Sequence, residues 1–391
     1  MNITDLLKAT IEGGASDLHM KAGKPPKMRV DGKLVPVEGA PALSGEAAQA
    51  LALSIMNERQ KESFGHRGEM DLAYSYPGLG RFRVNAFKQR GSVSLVFRVV
   101  PTKVKTIQEL ELPSILHDLA LESRGLILVT GSTGSGKSTT LAAMVEHINR
   151  NKTANIITIE DPIEYLYLDR QALISQREVG YDTESFSVAL RAALRQDPDV
   201  IMVGEMRDYE TIHTALIAAE TGHLVLSTLH TMDAPETINR IISVFPPFQQ
   251  KQIRLQLASV LRGVISQRLI PRADSKGRAA ACEIMIATQT VREAIIDPEK
   301  TRRLRDVIGA GGSQYGMQTF DQSLYDLMSR GIISQDAAMA WASNPDDFAL
   351  KIRGVESTSD TWGKKDDGGA GPGTGSGPES KDQTSEMVDR F

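Results

Sequence analysis

The stretch Gly125-Leu126-Ile127-Leu128-Val129-Thr130, running into Gly131-Ser132-Thr133-Gly134-Ser135-Gly136-Lys137-Ser138, decides the fold. Its first half is short, apolar and β-branched, as a buried strand is. Its second half fits the phosphate-loop pattern G-x-x-x-x-G-K-[ST] at every specified position. The following residues, Thr139 to His147, have helical spacing. In this setting the glycines let backbone N–H groups turn inward on phosphates, and the helix N-terminus adds its positive dipole end. Lys137 is expected to reach the β and γ phosphates, the Ser138 hydroxyl to ligate Mg²⁺, and Thr139 to complete the loop. The bland alternative is a Gly/Ser turn between a strand and a helix.

Working outward, short β-rich runs alternate with helical stretches. Asn155–Ile159, Val200–Val203 and His223–Thr228 are the runs, and Ser185–Leu194 and Tyr209–Glu220 the helices between them. That alternation predicts an α/β fold with a mainly parallel, helix-covered sheet. Helices are expected from Pro247 to Leu269, an extended stretch near Ala280–Ile286, and further helices to about Arg353.

Ahead of the loop, residues 1–100 read as a smaller α+β unit: a helix over Ile3–Ile11, two strands joined at the Asp31-Gly32 turn, and a helix capped by Ser44. Three antiparallel strands follow over Glu69–Tyr76, Arg81–Phe87 and Ser92–Arg98. Period two puts Arg81 and Arg83 on one face and Phe82 and Val84 on the other. That basic face is either simply solvated or meets phosphates held by another domain or subunit. Residues 101–113, with a proline at each end, read as a linker to a second domain over 114–355. Residues 356–391 are rich in Gly, Ser, Asp and Lys and read as a disordered tail, with 387–391 a candidate docking peptide.

Length and composition bound the function. The 391 residues exceed what one core usually serves, and 41% hydrophobic with 24% charged residues belongs to a globular chain. No apolar run approaches the ~18 residues of a membrane span, and the start lacks a basic secretory segment, so a cytoplasmic location is expected. A single cysteine, Cys282, excludes an intrachain disulfide or a multi-cysteine zinc site and suits a buried apolar position. A net charge of −4 gives no global pull toward nucleic acid, which is not an expected partner.

Nucleotide sites in open α/β sheets lie outside the carboxyl ends of the strands. Three polar clusters fall there: Glu160, Asp161 and Glu164; Glu205, Arg207 and Asp208; and Thr228, His230 and Thr231. Hydrolysis needs a carboxylate to orient water. Glu205 is the expected base, Glu160 the competing one, and Asp161 or Glu164 could hold Mg²⁺ through water. Strand-end acids can equally cap the next helix. His230 is placed to sense the γ-phosphate, and His223 stands at the other end of the same strand.

These residues carry a resemblance to the type IV pilus retraction motor ATPases of the type II/IV secretion ATPase superfamily. The matching pieces are Gly14-Ala15-Ser16-Asp17-Leu18-His19, Gly80-Arg81-Phe82-Arg83, the phosphate loop, Ile159–Glu164, Pro198–Asp208, Thr221–Thr231 and Gly316–Leu324. The resemblance implies a RecA-like P-loop ATPase core with an N-terminal PAS-like domain and a C-terminal helical region, assembled as a homohexamer. It implies ATP and Mg²⁺, with the nucleotide between the two domains and Arg81, Arg83 and Arg98 as arginine-finger candidates. His223 joins the nucleotide-binding set in the same way. The implied partners are an inner-membrane pilus platform protein and a paralogous retraction ATPase, at the inner face of the cytoplasmic membrane. Ser132 replaces the family's common proline, and Thr290–Asp297 departs from the family pattern, so principal motor and accessory nucleotide-binding subunit with little hydrolysis are both open. A pilus assembly or secretion motor is the third alternative, against which the single cysteine argues.

Overall fold

The computed structural model describes residues 2–354; the tail expected over 356–391 and its docking peptide lie outside the described residues. Two sheets organise these residues. The first is antiparallel and comprises β1 (Asp17–Lys21), β2 (Lys27–Val30), β3 (Lys33–Pro36), β4 (Glu69–Tyr76), β5 (Gly80–Gln89) and β6 (Ser92–Val99). Their spatial order is β3-β2-β1-β6-β5-β4. Alternation sends Phe82, Val84, Leu95 and Phe97 to one face, where Leu6, Leu7, Ala52 and Phe64 from three helices bury them. Ser44 does cap the helix Gly45–Ser54, through the Ala47 N–H.

The opposite face is charged for a reason visible in the register. Arg83 lies opposite Arg98, Arg98 opposite Asp17, and Asp17 opposite Arg29, so one row crosses four strands. Two facing arginines repel. Asp17, 5% exposed, relieves this by accepting from Arg98 Nε at 2.9 Å with Arg29 at 3.8 Å. Burial opposes ionisation of Asp17, but Ser16 and Arg98 win and its carboxyl sits below the usual range.

The second sheet has the order β13-β12-β7-β11-β10-β8-β9. Its strands are β7 (Gly125–Thr130), β8 (Asn155–Glu160), β9 (Leu173–Glu178), β10 (Val200–Val203), β11 (Leu224–Leu229), β12 (Leu261–Pro271) and β13 (Arg278–Ile286). All neighbours run parallel except the β12–β13 hairpin. Every residue of β7 is buried, with Leu126 and Leu128 packed into the core of one face and Ile127 and Val129 into that of the other. That is why this strand reads as a continuous apolar run. The helices Phe186–Ala193, Tyr209–Glu220, Ala234–Ser243 and Pro247–Val260 cover the first face, and Lys137–Asn151 covers the second. Helices after Thr319 pack around Phe320, Leu324 and Phe348. The segment from Pro101 is not a free tether, because Ile107 is buried in the second-domain core and the Leu166 N–H donates to Pro101 O at 3.0 Å.

One expectation is corrected. The helix beginning at Pro247 stops at Val260, and Leu261–Pro271 is a strand rather than helix up to Leu269. The backbone turns extended at Leu261 (ψ 135°), and β12 then fills the place between β7 and β13. Pairing on both sides overrides local spacing that a helix would also satisfy.

Glu283 in β13 is 3% exposed and accepts the Ala234 N–H at 2.8 Å. Burial, reinforced by the Asp233 charge and opposed by the Ala234 N–H, Arg305 and Arg268, pushes its carboxyl up to about 7 from an ordinary 4.5. The folded state therefore holds this proton more tightly than the unfolded chain does. The resulting stability is present in acid and is lost as pH rises from about 4.5 to about 7. Glu283→Gln keeps the acceptor and removes the charge, so its melting temperature relative to wild type should rise between pH 5 and pH 8. The ceiling of that gain is about 3 kcal/mol, and a difference that is the same at both pH values would contradict it.

Candidate nucleotide site

Parallel pairing delivers four loops to one edge of the second sheet. The phosphate loop follows β7, Asp161–Glu164 follows β8, Gly204–Asp208 follows β10 and His230 follows β11. They line a cavity of about 350 Å³ that includes Lys137, Ser138, Glu160, Glu164, Glu205 and His230, with Asp161 at its wall. A second cavity of about 440 Å³ adjoins the loop, and here Arg83 and Arg98 of the first sheet face Lys137, Ser138 and Thr139.

The loop backbone requires its glycines. Gly131 has φ +142°, and a Cβ there would lie 2.5 Å from both Gln267 O and Ser135 Oγ. Gly136, at φ +92°, opens the helix Lys137–Asn151 with no side-chain cap. Its first-turn N–H groups are thus left for an anion. Lys137 is 8% exposed, and its Nζ donates to Gly131 O and Ser132 O at 2.9 Å each. Burial lowers its pKa, partly offset by the charge of Glu205. Among the described residues Ser135 Oγ is buried without a partner, and Thr139 Oγ1 shares a hydrogen bond with Tyr165 Oη at 3.1 Å. A buried ammonium over two carbonyls, an orphaned hydroxyl and an uncapped helix start fit a polyphosphate. Among the described residues no group of three or more His, Cys, Asp or Glu could hold a metal alone.

The two candidate bases differ in environment. Glu160 is 6% exposed and accepts from Thr158 Oγ1 at 2.7 Å and Gln176 Nε2 at 3.0 Å, and burial raises its pKa. Glu205 is more open to the cavity: Arg207 Nε stands 2.7 Å from one oxygen and His230 Nε2 3.5 Å from the other. Glu205, Arg207 and His230 thus form a chain along the cavity wall.

The first-domain arginines separate. Arg98 is tied to Asp17, and Arg81 Nη2 donates to Glu178 Oε2 at 2.9 Å, away from the loop. Arg83 is exposed and, among the described residues, has no carboxylate at ion-pair distance. His223 does not come near the loop. It precedes β11 at the amino end, with Nδ1 2.8 Å from Ala218 O, a strand of about 20 Å from the carboxyl end. Sequence reasoning missed Tyr165, Gln176, Glu178, Gln267 and Arg278. The run Leu173-Ile174-Ser175-Gln176-Arg177-Glu178 has no apolar alternation to signal Gln176 or Glu178, and Arg278 Nη1, 3.5 Å from Gly134 O, comes from a hairpin with no local mark.

A family model described as type II/IV secretion system protein matches residues 2–316. The type IV pilus retractation ATPase PilT of Pseudomonas aeruginosa is 48% identical over 89% of this chain and 100% of its own length. The type IV pilus ATPase PilU of the same organism is 45% identical over 92% and 94%. Among solved structures, the pilus retraction motor PilT with bound ADP aligns with TM-score 0.80 and 44% identity, over 89% of this chain and 98% of that one. The Legionella pneumophila ATPase DotB aligns with TM-score 0.74 and 29% identity, over 90% and 96%.

If the loop holds phosphates as its geometry indicates, Lys137→Ala should weaken ADP binding about tenfold or more, or about 1.4 kcal/mol. Gly131→Ala should do so by displacing the Gln267 carbonyl. Titration with a fluorescent nucleotide reads both, and unchanged affinity in Lys137→Ala would count against the site.

Proposed function

From the premise that this chain belongs to the type II/IV secretion system protein family, we propose that it is an ATP-hydrolysing motor that powers type IV pilus retraction and, through it, twitching motility. The observation that carries the reading is one cavity holding Lys137, Ser138, Glu205 and His230, faced across a cleft by Arg83 and Arg98. Relatives named as pilus retraction and pilus ATPases span nearly the whole chain.

The chemistry follows from the residues. Loop N–H groups and Lys137 hold the β and γ phosphates, which requires Lys137 to exchange its two carbonyl partners for phosphate oxygens. Mg²⁺ would neutralise charge between those phosphates, held by Ser138 with Asp161 or Glu164 through water. Glu205 orients the attacking water, its carboxylate steadied by Arg207. His230, whose Nε2 lies 3.5 Å from Glu205, donates to the γ-phosphate in this reading. Arg83, without a carboxylate partner among the described residues, approaches the transferred phosphoryl and stabilises its charge, with Arg98 held beside it by Asp17. Glu160, enclosed by Thr158 and Gln176, serves to shape the wall rather than to take a proton.

Motion follows from the cleft. ATP bridging the loop and Arg83 favours closure of the domains, and loss of the γ-phosphate favours opening. Six copies in a ring, cycling in turn against a membrane platform protein at the inner face of the cytoplasmic membrane, would convert this into pilus disassembly. Among the described residues no helix is long and apolar enough to cross a membrane. A second reading, an accessory subunit working with a paralogous retraction ATPase, draws on the departure at Thr290–Asp297 and on the similar identities to PilT and PilU.

Purified protein should turn over ATP, with Glu205→Ala slowed about 10²-fold or more while still binding nucleotide. Turnover that Lys137→Ala and Glu205→Ala leave untouched would refute the enzyme. Deletion of the gene should leave cells with more surface pili and no twitching, whereas loss of pili would refute retraction.

A further inference from the structure

β9 is an edge strand of the second sheet, yet its two inward polar side chains hold the acidic loop at several points. Gln176 Nε2 donates to Glu160 Oε1 at 3.0 Å and to Tyr165 O at 2.8 Å, and its Oε1 accepts the Tyr167 N–H at 3.0 Å. Two residues on, Glu178 Oε2 accepts the Ile163 N–H at 3.1 Å. The same oxygen accepts from Arg81 Nη2 of β5 at 2.9 Å, across the cleft between the two domains. Arg81 also lies over the Tyr181 ring at 5.7 Å. The pair is mostly enclosed, with 14% and 10% of the side chains exposed.

We infer that Glu178 is a positioning residue that couples the orientation of the first domain to the acidic loop lining the nucleotide cavity. One carboxylate oxygen serves both an N–H of the loop and a guanidinium of the other domain, so neither contact can shift without altering the other. When the cleft opens and Arg81 withdraws, Glu178 is left an enclosed charge with one loop donor, which is costly. The strand end and the Asp161–Glu164 segment then rearrange to rehydrate it. Gln176, on the same face, carries any movement of β9 to Glu160 and Tyr165. Arg81 is thereby assigned to this joint rather than to the phosphates, leaving Arg83 for them.

The kinetic consequence rests on the ATPase reading; the mechanical one does not. Full-length protein carrying Glu178→Ala should lose about tenfold in kcat with KM for ATP changed less than about threefold. Glu178→Gln retains an acceptor for Ile163 and should recover part of that loss. Arg81→Gln combined with Glu178→Gln should be no worse than the poorer single variant, since both break one contact. Additive losses, or wild-type kcat in Glu178→Ala, overturn the joint, and if Glu178→Ala does not fold the two Gln variants and their combination decide. Hydrogen exchange provides the independent arm: Arg81→Gln should speed exchange of the amides over 160–167, which lie in the other domain. Unchanged exchange there overturns the inference. Faster exchange in a protein without ATP turnover would uphold the joint while sinking the enzyme.

Discussion

The placement of β7 between β11 and β12, buried on both faces, is the constraint on which the rest depends. Parallel pairing with β11 and β12, and through β11 with β10 and β8, forces their carboxyl ends to one edge. The loop after β7, the acids after β8 and β10 and the histidine after β11 therefore meet without any of them being near another in sequence. A helix start with no side-chain cap then faces that meeting point. Anion binding is a consequence of this layout before any particular side chain is considered.

The first domain adds what such an edge lacks, a second charged wall. Its sheet buries aromatic and aliphatic residues on one face and presents a row of Arg83, Arg98, Asp17 and Arg29 on the other. Asp17 makes that row tolerable by pairing with Arg98, and Arg83, which lines the cavity beside the loop, has no carboxylate partner among the described residues. Arg81, two residues away on the same face, is instead committed to Glu178. Arg81 and Arg83, equivalent by alternation, thus differ because Arg81 has a partner across the cleft and Arg83, among the described residues, has no carboxylate at ion-pair distance.

Much of this was legible in the sequence where local chemistry and global fold agree. The Gly131–Ser138 pattern, the apolar β7 and the alternation around Phe82 each follow from a short-range rule, and each lies where expected. β12 was not legible: Leu261–Leu269 carries apolar spacing that suits helix or strand, and only the vacancy beside β7 decides between them. The relation of Arg81 to Glu178 spans 97 residues and the gap between domains, beyond any periodicity. His223 and His230 stand at opposite ends of β11, as the strand reading has it, and only the resemblance sets His223 among the nucleotide-binding residues.

In the proposed motor the nucleotide is closed between the phosphate loop and the arginine row of the first domain. The most direct measurement is a structure of the assembled protein with Mg²⁺ and a non-hydrolysable ATP analogue. Such a complex should show the Arg83 guanidinium at about 2.7–3.2 Å from a γ-phosphate oxygen, Lys137 released from Gly131 and Ser132, and Glu205 facing a water in line with the γ-phosphate. A nucleotide held by the loop alone, with Arg83 in solvent and the cleft no narrower, would contradict it.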